Sequence, residues 1–370
     1  MKYYFLSLLL IVSPRVVQAQ VLSDQNVQPV ILKALDSIYE GNFQEADQPI
    51  AQLRGRYPEH PIVPLLQAMK LKWQFLPINE NPKAVAQFKL ACQQSIVLAG
   101  KLLERNKKDP EGTFFALTAH SYLALIFNND GQTMKAVNES KKAYGFMKTG
   151  FSLIEQNPEF YFTTGLYNYY VERYPLDNPL IKPLMWFFQD GDMALGLKQM
   201  DMASRRAVFT RIETCFYLSH IYLEQESQPE RAAYYTRILA ERFPHNPVFV
   251  LRHAESLMLA GRYQEAQTMV EQLKHLPHPM LPMPIAVLEG LLLEKREKNN
   301  REAAGHYQAA LHMPYVANYT REYHAFAEAG LARIAARSGD SKQAQAHYKK
   351  ALKPAEYKST IREAKQYMAH

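Results

Sequence analysis

A short pattern returns along this chain at a spacing that suits stacked two-helix units. GNFQEADQPIAQLRGRYPEHP carries Gly41, Phe43 and Ala46, with Pro58 twelve residues after the alanine. PERAAYYTRILAERFPHNP carries Ala232 and Pro244, again twelve apart. GRYQEAQTMVEQLKHLP repeats the first triplet as Gly261, Tyr263 and Ala266, and Ala266 follows Ala232 by 34 residues. Looser copies place Ala136 and Ala143 after Gly131, Ala303 and Ala310 around Tyr307, and Ala344 and Ala351 around Tyr348 after Gly339. In each of these the alanines are seven residues apart, which is two helical turns.

A unit of 34 residues holds two antiparallel helices and two short turns. Glycine at 41, 131, 261 and 339 marks where a first helix ends and the chain reverses, because glycine reaches left-handed angles without a Cβ clash. Alanine at 46, 232, 266, 303 and 344 belongs where helices approach closely. Pro58 and Pro244 stop a second helix, lacking the donor and clashing with the preceding turn. The pattern G-x-[YF]-x-x-A followed by an apolar residue and proline resembles tetratricopeptide repeats. That resemblance implies an all-α chain of helical hairpins stacked in a right-handed superhelix, with an extended concave binding surface.

The stretches between copies also read as helices: one after Pro61, a long one over Lys83–Asn106, and one over Asp109–Phe127 with Asp109 as cap and Pro110 in the first turn. Glu213–Glu224 reads as the first helix of the unit holding Ala232. TIREAKQYMAH reads as a polar capping helix. The first residues, MKYYFLSLLLIVSPRVVQAQ, read as an export leader: Lys2, an apolar run from Tyr3 to Val12, then small residues at Val17 and Ala19, with cleavage expected after Ala19. The run is too short to cross about 30 Å of hydrocarbon. The expected division is residues 1–19 as leader, 20–195 as N-terminal helical repeats, and 196–370 as C-terminal tetratricopeptide repeats with the capping helix. The soft boundary falls at Leu195–Gly196.

One segment, 158–192, departs from the plain helical pattern. It contains GLYNYYVERYPLDNPLIKPLMWFFQDGD. Glu159–Arg173 reads as a helix, with Gly165 permitting close contact. Pro175, Asn178–Pro179 and Pro183 are expected to break it into an extended loop. Asp192 is expected to cap a helix over Met193–Ser204. The aromatics either plug the inner groove of the superhelix or form a binding surface, since Tyr and Trp carry large rigid contact area. The candidate surface is Tyr167, Tyr169, Tyr170, Glu172, Tyr174, Trp186, Phe187 and Asp190. Gly165, Tyr167 to Tyr170, Asp190 to Asp192, Gly196 and Leu197 make a run that resembles exported bacterial tetratricopeptide proteins. It is more distantly similar to the Iml2-like and tetratricopeptide-39-like outer-membrane families. Met200 stands where a leucine is expected.

No phosphate loop, zinc-protease signature or paired-cysteine motif is present. His275 and His278 lie in a proline-rich turn, and His220 with Glu224 makes at most one polar contact on a helix. Glu172, Asp190 and Asp192 are the carboxylates that could serve acid–base chemistry. Cys92 and Cys215 are either two core side chains or one bridge. The formal charge of +7 is scattered, which argues against nucleic acid as a partner. The resulting expectation is a non-enzymatic protein–protein interaction scaffold of the bacterial cell envelope, periplasmic or secreted. It has a protein partner, no metal, cofactor, nucleic acid or transmembrane anchor, and is compatible with peripheral outer-membrane association. The alternative is a periplasmic protein that binds a glycan or small molecule.

Overall fold

A computed structural model describes residues 20–314 and 316–369, so the expected leader at 1–19 lies outside the described residues. Among them are seventeen α-helices and no strand. They run as eight hairpins and a cap: α1 (Gln28–Glu40) with α2 (Phe43–Arg56), α3 (Ile62–Gln74) with α4 (Pro82–Arg105), and α5 (Pro110–Asn129) with α6 (Thr133–Gly150). Next come α7 (Phe160–Asp177) with α8 (Met193–Arg206), α9 (Arg211–His220) with α10 (Pro229–Arg242), and α11 (Pro247–Leu259) with α12 (Tyr263–Lys274). The chain closes with α13 (Pro282–Leu292) and α14 (Asn300–Leu311), α15 (Ala317–Arg337) and α16 (Ser341–Ala351), then α17 (Lys358–Met368). The hairpins stack as tetratricopeptide-like repeats in a superhelix, as the spacing predicts. No helix among the described residues is long and apolar enough to cross a membrane.

The turn chemistry follows the sequence where glycine is present. Gly41 and Gly261 end their helices at φ +85° and +75°, and Gly131 and Gly339 take the same left-handed conformation. Four hairpins lack that glycine, and two of them, α9–α10 and α13–α14, solve the turn in another way. There α9 and α13 run on into π-helical turns, Ile221–Gln225 and Leu293–Glu297, and Ser227 and Lys298 adopt positive φ instead. The continuous helix expected over Glu213–Glu224 therefore changes register after His220. The side chain of Asp109 accepts from Gly112 N–H at 2.7 Å, capping α5 as expected. Ala46, Ala232, Ala266, Ala303 and Ala344 are each fully buried between helices.

The superhelix is wound tightly enough to bring its first hairpins against the fifth and sixth. Tyr39 of α1 packs on Phe243 and Phe249 at ring separations of 5.6 and 5.9 Å, and Trp73 of α3 packs on Phe249 at 5.2 Å. Tyr122 of α5 donates to Glu213 of α9 at 2.9 Å, and Asn246 donates to the Tyr39 carbonyl at 2.7 Å. One continuous apolar core extends from Val21 to Tyr357. The inner groove is thus partly filled by the chain's own aromatics, and none of them comes from the 174–188 stretch. The Leu195–Gly196 position lies inside α8, where Gly196 meets Gly165 of α7. A Cβ at Gly165 would sit 2.9 Å from the Gly196 carbonyl, and one at Gly196 would sit 2.7 Å from the Gly165 carbonyl. Cys92 and Cys215 are buried free thiols. Burial pushes both thiols up, Cys215 to about 12, so neither is a ready nucleophile.

A buried carboxylate fastens the C-terminal cap. Glu322 of α15 accepts from the backbone N–H of Glu356 and Tyr357 at 2.5 and 3.1 Å, and from Thr360 Oγ1 at 2.6 Å. Burial outweighs these donors, the Glu255 charge adds to it, and the carboxyl is pushed from 4.5 up to about 7. The folded state therefore holds this proton more tightly than the unfolded chain. Its contribution is full below pH 4.5 and is lost as pH rises through about 7. Glu322→Gln keeps an acceptor without the charge. Its melting temperature relative to the parent is expected to rise between pH 5 and pH 8, by on the order of 3 kcal/mol of stability. A pH-independent difference would show that Glu322 is ionised throughout.

Candidate binding surface

The link between α7 and α8 runs for fifteen residues, Asn178–Asp192, where helical hairpins use roughly two to eight. Its origin is local. Pro175 was expected to end the helix, but α7 passes through it to Asp177. Pro175 sits in the last turn, where only one ladder bond is lost. The helix stops at Asn178, ahead of Pro179, which opens a 3₁₀ stretch, Pro179–Phe187, in place of the expected extended loop.

Both ends of this arm are pinned. At its base, Asp177 pairs with Lys358 of α17 at 2.7 Å and with Arg173 at 3.4 Å. At its far end, Tyr167 donates to the Gln189 carbonyl at 2.6 Å, and the Gln189 N–H donates to Tyr144 at 3.3 Å. Tyr144 stacks on Tyr167 at 5.8 Å and meets Phe188 edge-on at 5.2 Å. Gly191 then passes so close to α7 that a Cβ would lie 2.6 Å from the Asn168 carbonyl. Asp192 caps α8 through the Leu195 N–H at 2.9 Å, as expected, and Glu172 accepts from the Met193 N–H at 2.7 Å. Two of the three carboxylates considered for acid–base chemistry therefore hold the positive end of α8. Asp190 is exposed on the arm.

The eight candidate residues do not form one face. Tyr169 is fully buried and donates to Glu226, with Tyr170 half-buried and edge-on to it at 5.2 Å. Burial pushes the hydroxyls of Tyr167, Tyr169 and Tyr170 up. Tyr167 and Tyr169 are thus fasteners of the arm and the core, with Tyr170 packed beside them. Tyr174 and Trp186 are exposed, at 55% and 87%. The Phe187 side chain lies outside the described residues. Sequence reasoning missed Leu176, Leu180 and Phe188, which are 54%, 94% and 42% exposed. Leu180 could have been found, because an apolar residue bracketed by Pro179 and Pro183 has no helix face on which to be buried. Among the described residues, no group of three His, Cys, Asp or Glu could hold a metal ion. His220 meets Glu224 at 2.6 Å, as its spacing implies, and its other ring nitrogen meets Arg252 at 3.2 Å.

No known family profile matches the chain, and no curated protein matches it. Among solved structures it is similar to yeast Tom70, at 14% identity and TM-score 0.38, over 94% of this chain and 82% of that one. It is similar to a tetratricopeptide repeat protein from Parabacteroides merdae, at 15% identity and TM-score 0.32, over 81% and 98%. A third likeness is to a monomeric IFIT1 mutant with Gppp-AAAA, at 12% identity and TM-score 0.41, over 90% and 95%. These agree with the all-helical repeat fold and carry nothing about mechanism. One expectation is corrected here. The scattered net charge was taken to exclude nucleic acid, yet the third of these chains is described with Gppp-AAAA. Whole-chain charge does not report the local charge of one face, so the exclusion is withdrawn.

Proposed function

We propose that this chain is a non-enzymatic protein-binding scaffold of the bacterial cell envelope, exported by its N-terminal leader, whose partner protein docks on residues 174–188, the last turn of α7 and the arm that follows it. One observation carries this reading. Of thirteen exposed large apolar side chains among the described residues, five fall within 174–188: Tyr174 and Leu176 on the last turn of α7, and Leu180, Trp186 and Phe188 on the arm. Single exposed apolar residues are ordinary, but Tyr174, Trp186 and Phe188 are of the aromatic types that binding interfaces favour, and Leu176 and Leu180 add apolar area beside them. The filling of the inner groove by Phe243 and Phe249 also favours the arm over the concave face.

The test is crosslinking of the tagged protein in intact cells of its source, beside Trp186→Ala and Leu180→Asp variants with unchanged far-UV circular dichroism. One discrete partner, captured at least tenfold less by both variants, is the expected result. Undiminished capture by both would remove the arm from the interaction. Self-association, or binding to lipid vesicles, that disappears in the variants would replace the partner protein with a second copy or a membrane surface.

A further inference from the structure

The groove between α8 and α10 has a volume of about 460 Å³. From α8 it is lined by Leu197, Lys198 and Asp201, and from α10 by Arg231, Tyr234 and Tyr235. Tyr222, from the π-helical turn after α9, completes the lining. Tyr222 stacks on Tyr235 at 5.9 Å, and Tyr234 meets Tyr235 edge-on at 5.0 Å with half of its surface, 51%, left exposed. The Arg231 guanidinium lies over the Tyr222 ring at 5.5 Å. Asp201 accepts from the Tyr235 hydroxyl at 2.9 Å and from Arg205, so its charge is met. Lys198 and Arg231 are exposed, and among the described residues neither meets a carboxylate. The corresponding groove between α2 and α4 differs on both counts. Its Lys70 pairs with Asp47 at 2.6 Å, and no aromatic side chain lines it among the described residues.

The repeat register shows that these residues are departures from the unit rather than parts of it. Arg231 directly precedes the repeat alanine Ala232, in the first turn of α10. Three of the other copies place a glutamate at that step, Glu45, Glu265 and Glu302, each in the first turn of its helix. An acid suits the positive end of a helix and a cation does not. Two residues after the alanine, where this copy has Tyr234, the others have Gln48, Asn138, Thr268, Gly305 and Ala346. One copy has therefore exchanged an acid for a base and a small or polar side chain for an exposed ring, on the same groove. A neutral sugar would leave both cations unused, and a bare anion would leave the Tyr234 face unused. A cationic ligand would be repelled, and a monocarboxylate carries one charge for two. A phosphate ester carries close to two negative charges, and its ring has a face for the tyrosine. We infer that this groove binds a phosphorylated sugar, free or as part of a nucleotide, with the phosphate held by Lys198 and Arg231 and the ring against Tyr234. The site shares no residue with the 174–188 stretch and does not rest on the partner reading.

The test is calorimetric titration of the protein at low salt with glucose 6-phosphate and with AMP, beside glucose and inorganic phosphate as controls. Saturable binding of at least one of the two phosphosugars is expected, at least tenfold tighter than either control. Binding of glucose 6-phosphate would identify a free sugar phosphate as sufficient, and binding of AMP alone would identify a nucleotide. Arg231→Glu restores the residue of the other copies, so it should keep the melting temperature while weakening the phosphosugar at least tenfold. Lys198→Glu, on the exposed face of α8, should do the same and serves if Arg231→Glu folds poorly. Tyr234→Thr, the residue of the Ala266 copy, should bring the affinity down to that of inorganic phosphate. No saturable binding of either phosphosugar, a control that binds as tightly, or equal affinity in the variants would overturn the inference.

Discussion

Glu159→Ala is expected to cost roughly 3–5 kcal/mol and to melt the protein many degrees below the parent. Glu159 stands at the start of α7 and is 2% exposed. One carboxylate oxygen accepts from the N–H groups of Val208 and Phe209 at 2.7 and 2.8 Å. The other accepts from the N–H and hydroxyl of Thr210 at 2.8 and 2.7 Å. This one side chain therefore satisfies three consecutive backbone donors in the link between α8 and α9. Burial raises its pKa even against those four donors, a sign of how little water reaches the site. Alanine would leave all three N–H groups without an acceptor, and buried donors without partners are among the costliest defects in a fold. Glu159→Gln retains one accepting oxygen and should lose about half as much. Urea unfolding of the three proteins checks this. An alanine variant within about 0.5 kcal/mol of the parent, the range of ordinary surface substitutions, would show that the link re-pairs its donors elsewhere.

A second large effect is expected at a glycine that the repeat pattern does not mark. The ring of Tyr307 on α14 lies between Gly290 of α13 and Gly330 of α15. A Cβ at Gly330 would fall 2.3 Å from the ring, and one at Gly290 would fall 2.7 Å from it. The ring cannot swing aside on either face, and its hydroxyl is held by Glu294 at 2.7 Å. Glu294 is in turn bound by Arg333 at 2.7 Å and Arg337 at 3.0 Å, and its pKa falls to about 2 although burial opposes this, because Arg333 foremost favours the charged form. Gly330→Ala is expected to destabilise by roughly 1–3 kcal/mol, despite alanine's better helix propensity. Gly305→Ala is the control with the opposite sign. That helical, exposed glycine has open space where a Cβ would go, so it should gain about 0.5–1 kcal/mol. Thermal melts of the two variants distinguish them. A neutral Gly330→Ala would mean that the three helices can spread without loss.

The repeat unit was legible because it rests on local constraints. A glycine must stand where φ is positive, an alanine where two helices touch, and an aspartate or proline at a helix start. Gly41, Ala46, Asp109 and Pro110 each do what their chemistry implies wherever the chain is placed. The arm was half legible. Its prolines announced an irregular stretch, but Pro175 was read as a break when it is tolerated in the last turn of α7. The candidate surface was less legible still. Tyr167, Tyr169 and Tyr170 are chemically alike and close in sequence, yet one fastens Gln189, one is buried against Glu226 and one is half-buried, edge-on to Tyr169. The difference comes from Gly191 and Gly196, which set where the arm and α8 press on α7.

By itself, then, the sequence determined the class of element, the length of the unit and the chemistry of most turns, all of which depend on residues within a few positions of one another. Only the tertiary structure decided which side chains remain outside. Phe243 and Phe249 fill the groove because the superhelix closes on α1 and α3, across about 200 residues of chain. Asp36 and Glu40 of α1 meet Arg242 and His245 for the same reason. No local pattern encodes that meeting, because it is the sum of small rotations accumulated over several hairpins.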